Sequence, residues 1–223
     1  MTPSEERLPV VVLISGDGSN LQALIDRTSA DLPIEIRAVI SNRAGVHGLE
    51  RAHAAHIETV VLDPKGYPDR AHYDDALIER IDGYRPGLVV LAGYMRILSP
   101  HFVRHYAGRL LNIHPSLLPR YRGLRTHQRV LEAGDALHGA SIHFVTEELD
   151  GGPLIVQAQV AVMPGDDADS LAARVLEREH QIYPLAIRWY AENRLRLDTE
   201  GIVRLDDKPL QQPVVFAPGE AIG

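Results

Sequence analysis

The composition of this chain of 223 residues already excludes several classes of protein. Its 45% hydrophobic and 24% charged residues are typical of a soluble globular protein with a sizeable core. A formal net charge of −7 argues against a general affinity for nucleic acid or anionic membranes, which need an excess of exposed cations. Because the sequence contains no cysteine, disulfides, thiolate catalysis and zinc sites built on sulfur are excluded.

No segment of the sequence is typical of export or of membrane insertion. The start of the chain, Met1 to Pro9, is short, polar and acidic, and it lacks the apolar core of a signal peptide. No apolar run reaches the length that crosses a bilayer. We therefore expect a cytoplasmic protein.

The first two-thirds of the chain alternate between strand and helix patterns. The continuous apolar run from Val10 to Ile14 is typical of a strand that is buried on both faces. Further strands are predicted at 34–40, 59–62, 88–92 and 110–114, and helices from Ser19 and at 48–56, 69–81 and 100–106. This order predicts an α/β fold with a mostly parallel sheet and helices on both of its faces.

The pattern changes in the last third of the chain. A helix is predicted at 128–133, and strands at 141–146 and 154–162 are expected to add to the sheet as an antiparallel extension. A long helix at 169–191 contains Pro184, which should kink or break it. Short strands follow at 195–197 and 202–205, and the tail after about residue 209 is expected to be loosely held. Because no linker or repeat is visible, a single domain over 1–223 is predicted.

The end of the fifth predicted strand carries the first candidate chemistry. Pro115 ends this strand because proline cannot donate to a sheet ladder. Residues two apart on a strand point to the same side, so Asn112 and His114 should project together. An amide donor beside an imidazole can stabilise an oxyanion and move a proton. The alternative is a strand end with a capping Asn and a surface His.

A glycine-rich turn between the first strand and the first helix is a candidate anion site. Glycines in the segment Gly16–Asn20 let the backbone approach an anion, and free N–H groups at a helix start favour phosphate. The segment is not a P-loop, and Leu21 replaces the third glycine of the dinucleotide pattern. The alternative is a tight turn with a Ser N-cap. Ligands gather at the carboxyl ends of parallel strands, which predicts that this turn, Met95–Leu98 and the Asn112/His114 pair share one rim.

A second glycine-rich turn, at 150–152, presents a carboxylate. Asp150 could reach His114 and favour its protonated form, although Asp-Gly is also common in plain β-turns. Arg70 and Arg96 could bind a carboxylate bidentately, the alternative for each being a solvated side chain.

Two histidine pairs raise the question of a metal. His53 and His56 are three residues apart on a predicted helix, and His101 and His105 are four apart on another. Neither pair has the glutamate of a zinc protease motif or an evident third ligand, so exposed helix faces are favoured.

Five segments together resemble a known family, the phosphoribosylglycinamide formyltransferases (glycinamide ribonucleotide transformylases), which are folate-dependent. The resemblance runs from Val10 to about Trp189 through LISGDGSNLQALID, LAGYMRILSP, YAGRLLNIHPSLLP, HGASIHFVTEELDGGP and REHQIYPLAIRW. It implies a Rossmann-like formyltransferase fold. It also implies transfer of the formyl group of 10-formyltetrahydrofolate to the amine of 5'-phosphoribosylglycinamide, which gives N-formylglycinamide ribonucleotide and tetrahydrofolate in de novo purine synthesis.

The resemblance also implies a set of site residues. The catalytic positions are Asn112, His114 and Asp150. The positions that bind the phosphate and ribonucleotide are Gly18, Ser19, Asn20, Leu176, Glu177, Arg178 and Glu179. The folate-binding positions are Arg70, Met95, Arg96, Ile97, Leu98, Asn112, Thr146, Glu147, Glu148, Leu149 and Asp150. Two residues depart from the family pattern, since Asp17 stands where Asn is frequent and Arg125 where His is expected.

The expected partners are small molecules, the ribonucleotide and the folate co-substrate, with no metal, nucleic acid or membrane. Whether the chain forms a homodimer stays open. One alternative is a 10-formyltetrahydrofolate hydrolase, although such enzymes usually carry an N-terminal domain for which nine residues leave no room. A methionyl-tRNA formyltransferase would need a basic C-terminal domain. The remaining alternative is a non-catalytic nucleotide-binding α/β module.

Overall fold

The structure, a computed structural model, describes residues 7–222. These residues form two compact units, one ending at Leu111 and the other starting at Asn112. The single domain expected over 1–223 stays a prediction. The expectation that no signal peptide is present falls mainly on residues 1–6, which lie outside the described residues. Within 7–222, no helix is both long enough and apolar enough to cross a membrane.

The first unit is a parallel sheet with its connecting helices. Its strands are β1 (Leu8–Ile14), β2 (Ile34–Ser41), β3 (Glu58–Val61) and β4 (Leu88–Leu91), and its helices are α1 (Ser19–Ala30), α2 (His47–Ala54), α3 (Arg70–Asp82) and α4 (Pro100–His105). A short 3₁₀ helix spans Pro64–Gly66. The strand order is β4-β1-β2-β3, and every adjacent pair is parallel.

Hydrophobic burial explains why these segments fold as they do. The side chains of Val10 to Ile14 on β1 are fully buried, as the continuous apolar run predicts. Leu21 and Leu24 on α1 are also fully buried, at the spacing of one helix face. The core of this unit therefore forms around its central strand, and the loops at the strand ends stay available for ligands.

The second unit combines an antiparallel pair, a long helix and a small separate sheet. The strand β5 (Leu110–His114) crosses the boundary between the units. The other strands are β6 (Leu137–Phe144), β7 (Leu154–Ala161), β8 (Leu195–Leu197), β9 (Val203–Leu205), β10 (Lys208–Pro209) and β11 (Val214–Phe216), and the helices are α5 (Thr126–Ala133) and α6 (Ala168–Ala191). The order is β5-β6-β7-β11, and β8, β9 and β10 form an antiparallel sheet. β6 and β7 are antiparallel, as predicted, so the chain has an α/β fold with a mostly parallel, mixed sheet.

Helix α6 differs from its prediction. It runs without a break from Ala168 to Ala191, through the buried Pro184. Proline removes one helical hydrogen bond. The neighbouring side chains of Tyr183 and Ile187 are fully buried, and this packing offsets the loss. The predicted break is therefore wrong, and the predicted kink stays a prediction.

The C-terminal tail also differs from its prediction, because it is tied to the second unit. Strand β11 pairs in parallel with β7, from Val214 opposite Val156 to Phe216 opposite Ala158. The guanidinium of Arg178 donates to carbonyl oxygens of the tail residues beyond β11, at distances of 2.8 and 3.0 Å. At three residues this strand is too short to show a pattern in the sequence, and its stability comes from pairing with β7.

Candidate functional site

The strand β5 ends where the sequence predicts and places two polar side chains at its end. It spans Leu110–His114, and Pro115 follows it directly. The Asn112 side chain is partly buried, and His114 is 6% exposed. A histidine this deeply buried needs hydrogen-bond partners. Its contacts therefore indicate which ring nitrogens can donate.

Both ring nitrogens of His114 face oxygen atoms that accept hydrogen bonds. Nε2 lies 3.0 Å from the carbonyl oxygen of Tyr121, and a carbonyl can only accept, so Nε2 carries a proton. Nδ1 lies 3.5 Å from Oδ2 of Asp150, and these two side chains are 8% and 10% exposed. The imidazolium form is the one that satisfies both contacts. This geometry holds the His114 ring against a nearly buried carboxylate, where a protonated ring would have both an acceptor and a counter-charge.

The turn that carries Asp150 depends on glycine and on a strained backbone. Asp150 has a φ of 48°, in the left-handed region that Asp tolerates better than most residues. A Cβ atom on Gly152 would lie 1.8 Å from the carbonyl oxygen of Phe144, so only glycine fits there. Oδ2 of Asp150 also accepts the backbone N–H of Gly123 at 2.9 Å. These constraints fix the carboxylate beside His114.

His143 orients the Asn112 side chain. Nδ1 of His143 lies 2.9 Å from the carbonyl oxygen of Phe144 and donates to it. Burial lowers the pKa of His143, so its other nitrogen, Nε2, is unprotonated and accepts the Nδ2–H of Asn112 at 3.1 Å. This contact uses one N–H of the Asn112 amide group and leaves the second available for another acceptor.

Two more histidines, the partly buried His127 and the buried His138, form a pair in the same unit. Nδ1 of His127, on α5, lies 3.0 Å from Nε2 of His138, on β6, and their rings meet edge to face. Burial lowers the pKa of His138 to about 4, and burial and the nearby His114 lower the pKa of His127. Both rings are therefore neutral at physiological pH.

Sequence reasoning found Asn112, His114 and Asp150 but missed the histidines that surround them. His138 and His143 both lie on β6, and each contacts a different residue. The available signal was the position of His143 between Ile142 and Phe144, because a histidine in an apolar strand needs a partner. Which residue serves as partner is not visible in the sequence.

The glycine-rich turn of the first unit has the features of an anion site. The N-cap of α1 is Gly18, with a φ of 76°, and Ser19 is the first helical residue, so the alternative of a Ser N-cap is wrong. No side chain caps this helix end and its first turn holds no acidic residue. The first backbone N–H groups of a helix have no partner within the helix, which favours a bound anion.

Close packing of α2 against this turn explains the glycine at position 18. A Cβ atom on Gly18 would lie 2.6 Å from Cα of Gly48, at the start of α2. The N–H of Gly48 donates to the carbonyl oxygen of Gly16 at 3.1 Å. The turn is therefore held from one side by the first turn of α2.

The other predicted ribonucleotide positions lie on α6, in the second unit. Glu179 is 7% exposed, Leu176 and Arg178 are partly exposed, and Glu177 is exposed. The Arg178 guanidinium contacts the C-terminal tail, as described above.

The first five predicted folate positions lie in the first unit. A cavity of about 720 Å³ is lined by Arg70, Met95 and Arg96 together with Arg43 and Lys65. Among residues 7–222, none of the four cations has an ion pair with a carboxylate, although many arginines elsewhere do. Arg96 instead lies over the Tyr73 ring, 4.6 Å from its centroid. Asp63 and Asp69 also line the cavity, so cations outnumber carboxylates there and the cavity keeps a net positive charge, which suits a ligand with carboxylates.

Side chains fix both ends of the segment Met95–Leu98. The N–H of Met95 donates to Oγ of Ser15 at 2.8 Å, and Arg70 donates to the carbonyl oxygen of Leu98. The N–H of Ser99 donates at 2.6 Å to the buried carboxylate of Asp74. The segment therefore has a defined backbone even though Met95 and Ile97 are exposed.

The remaining folate positions, Thr146 to Asp150, form the loop that leads to the catalytic carboxylate. Leu149 is exposed, and Glu148 forms an ion pair with Arg122. Arg125, which stands where the family pattern has His, is exposed and has a left-handed φ of 55° as the N-cap of α5. In the described part of the chain, no cluster of three or more His, Asp or Glu side chains is placed to hold a metal.

Comparisons with known proteins agree on one family. A family model described as formyl transferase matches residues 8–187. Phosphoribosylglycinamide formyltransferase from Escherichia coli is 58% identical over 189 residues, which cover 84% of this chain and 89% of the relative. The protein of the same name from Haemophilus influenzae is 48% identical over 202 residues, 90% and 95% of the two chains.

A solved structure gives the same result for the fold. The phosphoribosylglycinamide formyltransferase structure from Coxiella burnetii superimposes with a TM-score of 0.91 at 50% identity. The match covers 95% of this chain and 100% of that one.

Proposed function

This chain belongs to the formyl transferase family, and from that premise we propose that it transfers the formyl group of 10-formyltetrahydrofolate to the amine of 5'-phosphoribosylglycinamide. The products are N-formylglycinamide ribonucleotide and tetrahydrofolate, and the reaction serves purine synthesis in the cytoplasm. The names of the relatives support this choice of acceptor. The observation that carries the proposal is the His114 ring between the Tyr121 carbonyl and the Asp150 carboxylate.

The proposed chemistry begins when the amine attacks the formyl carbon. A C–N bond forms, the formyl oxygen becomes an oxyanion, and the attacking nitrogen gains a positive charge. His114 as imidazolium donates to the oxyanion, and Asn112 donates its second amide N–H. Since Nε2 of His114 contacts the Tyr121 carbonyl, donation to substrate through Nε2 exchanges that carbonyl for the formyl oxygen. Each such donor typically contributes a factor on the order of 10²–10³ in rate.

The intermediate then collapses with loss of the folate. The proton of the attacking amine moves to the folate nitrogen, the bond from that nitrogen to carbon breaks, and tetrahydrofolate leaves. Asp150 stabilises the charge on His114 throughout, because a carboxylate beside an imidazolium in a buried site is weakly screened. No metal is invoked, since the folate nitrogen already activates the formyl group.

Substrate binding is assigned to groups in both units. The amides of Gly18, Ser19 and Asn20 bind the phosphate, and Glu179 on α6 binds the ribonucleotide. The cations lining the cavity of the first unit, Arg70 and Arg96, bind carboxylates of the folate. These assignments predict that variants there change substrate affinity more than turnover.

The test measures tetrahydrofolate release from 10-formyltetrahydrofolate with and without 5'-phosphoribosylglycinamide, for wild type and His114→Ala. We expect release that depends on the ribonucleotide and falls on the order of 10³-fold in the variant. Equal release without the ribonucleotide would identify a hydrolase. No release under either condition would indicate a binding module or another acceptor.

A further inference from the structure

Asp17, the acidic residue that departs from the family pattern in the glycine-rich turn, has two basic neighbours on α2. Oδ1 of Asp17 lies 2.9 Å from Nδ1 of His47, and Oδ2 lies 3.2 Å from Nη2 of Arg51. The hydrogen bond from His47, with the charge of Arg51, lowers the pKa of Asp17. Asp17 is therefore an anion at neutral pH, and its carboxylate is in contact with the side chains of His47 and Arg51.

Arg51 also holds the backbone of the turn. Its Nε donates to the carbonyl oxygen of Asp17 at 2.9 Å, and Nη1 lies 3.5 Å from Oε1 of Gln22 on α1. Arg51 is the less exposed partner, with a side chain 23% exposed against 54% for His47. One arginine thus contacts the carboxylate, the carbonyl and the neighbouring helix.

The charge of Asp17 matters because the residue directly precedes the amides assigned to phosphate. An unpaired carboxylate there would repel a phosphate dianion, whereas a carboxylate paired with a guanidinium has almost no net charge. Glu50, whose Oε2 lies 3.9 Å from Nε2 of His47, further reduces what His47 can contribute. Arg51 is therefore the main counter-charge.

We propose that Arg51, assisted by His47, is a positioning residue for ribonucleotide binding: it neutralises Asp17 and fixes the turn, so that the amides of Gly18–Asn20 can accept a phosphate. The inference rests on the proposed function, which assigns the phosphate to this turn. It explains how the chain keeps an acidic residue where the family frequently has Asn.

The test is a double-mutant cycle on the full chain with ribose 5-phosphate as the probe, measured by calorimetry. We expect Arg51→Ala to weaken binding about fivefold and Asp17→Asn to change it less than about twofold. The combined variant should bind within about twofold of wild type, because the unpaired charge is gone. The loss in Arg51→Ala should shrink at high salt, which a purely structural role would not produce.

The matched control is Arg27→Ala, which removes another exposed Arg–Asp pair, with Asp31 at the far end of α1. It should leave ribose 5-phosphate binding unchanged. Equal losses for Arg51→Ala in the wild-type and Asp17→Asn backgrounds would overturn the inference, since the effect of Arg51 on binding would then be independent of the Asp17 charge. Stronger binding by Asp17→Asn alone would also overturn it.

Because binding is measured without the folate, the result is independent of formyl transfer. If transfer fails while the cycle behaves as expected, the proposed function is wrong and the role of Arg51 stands. If ribose 5-phosphate does not bind the wild type while transfer proceeds, the phosphate lies elsewhere and the inference fails.

Discussion

Two His–Asp pairs lie beside the proposed binding and catalytic residues, one in each unit, and these two pairs differ mainly in burial. In the second unit, His114 and Asp150 are 8% and 10% exposed, with Nδ1 and Oδ2 3.5 Å apart. In the first unit, His47 and Asp17 are 54% and 62% exposed, with a shorter separation of 2.9 Å. The contact between His47 and Asp17 is shorter, but because it is exposed, water and salt screen it more effectively than the contact between His114 and Asp150.

Burial therefore decides what each pair can do. An exposed ion pair contributes at most about 1 kcal/mol and is weakened by salt, which suits tuning of affinity. Removing one partner of a buried pair costs much more free energy, because the other partner is left as an uncompensated charge. We expect variants around His114 to lower kcat and variants in the first unit to change KM.

The largest expected effect is that of Asp150→Asn. Asparagine keeps the size of the side chain and can still accept from Gly123, but it leaves the His114 cation without a counter-charge. We expect kcat to fall on the order of 10²-fold, with ribonucleotide binding intact, in steady-state kinetics and calorimetry. The same substitution at Asp17 is the matched control and should leave kcat unchanged. An equal fall in kcat for Asp150→Asn and Asp17→Asn would contradict the conclusion that burial decides what each His–Asp pair does.

A second effect concerns stability and the buried His138. Its folded pKa of about 4 lies below its usual value of 6.5. Between pH 4 and pH 6.5 the unfolded state therefore binds more protons than the folded state. The contribution of neutral His138 is complete above pH 6.5 and is lost as pH falls towards 4. Between pH 6.5 and about 5, the loss in the free energy of unfolding should be about 2 kcal/mol, measured by urea denaturation.

The variant that tests this prediction is His138→Gln, which should show a smaller pH dependence than wild type. The control is His72→Gln on the exposed surface. A hydrogen bond to Asp69 raises the pKa of His72, so its contribution is present below pH 6.5 and is lost as pH rises. Identical pH profiles for wild type and His138→Gln would show that His138 is not held neutral.

A smaller effect is expected for Arg70→Ala in the cavity of the first unit. The variant loses a cation and the contact with the Leu98 carbonyl. The KM for 10-formyltetrahydrofolate should rise about fivefold, with kcat within about twofold of wild type. Lys208→Ala, an exposed cation on β10, is the control. A fall in kcat without a change in KM would contradict the assignment of this cavity to binding.

The smallest effect is expected for His47→Ala, which breaks the exposed pair. The free energy of unfolding should change by less than about 0.5 kcal/mol, because solvent screens both partners. Ribose 5-phosphate affinity should fall by less than about twofold, since Arg51 still contacts Asp17. A larger loss of stability would show that this pair is not equivalent to other surface pairs.

Much of this molecule was predictable from local patterns. The apolar run at Val10–Ile14 predicts a buried strand, and Leu110–His114 ends where Pro115 requires it to end. The sequence predicts the start of helix α6 to within one residue. It does not predict that the helix continues through Pro184, because the packing around the proline is not visible in the sequence. Strand β11 is not visible in the sequence, since an apolar run of only three residues becomes a strand by pairing with β7.

The sequence by itself determined the order of elements, the family and the types of residue available for chemistry. These follow from patterns between residues close together in the chain, such as strand alternation and the Asn112–His114 spacing. Only the tertiary structure decided the partners: His143 for Asn112, Asp150 for His114 and Arg51 for Asp17. Each of these pairs joins segments about 30 residues apart or more, and the packing of whole elements sets such contacts. Burial, which separates the two His–Asp pairs, is likewise a property of that packing.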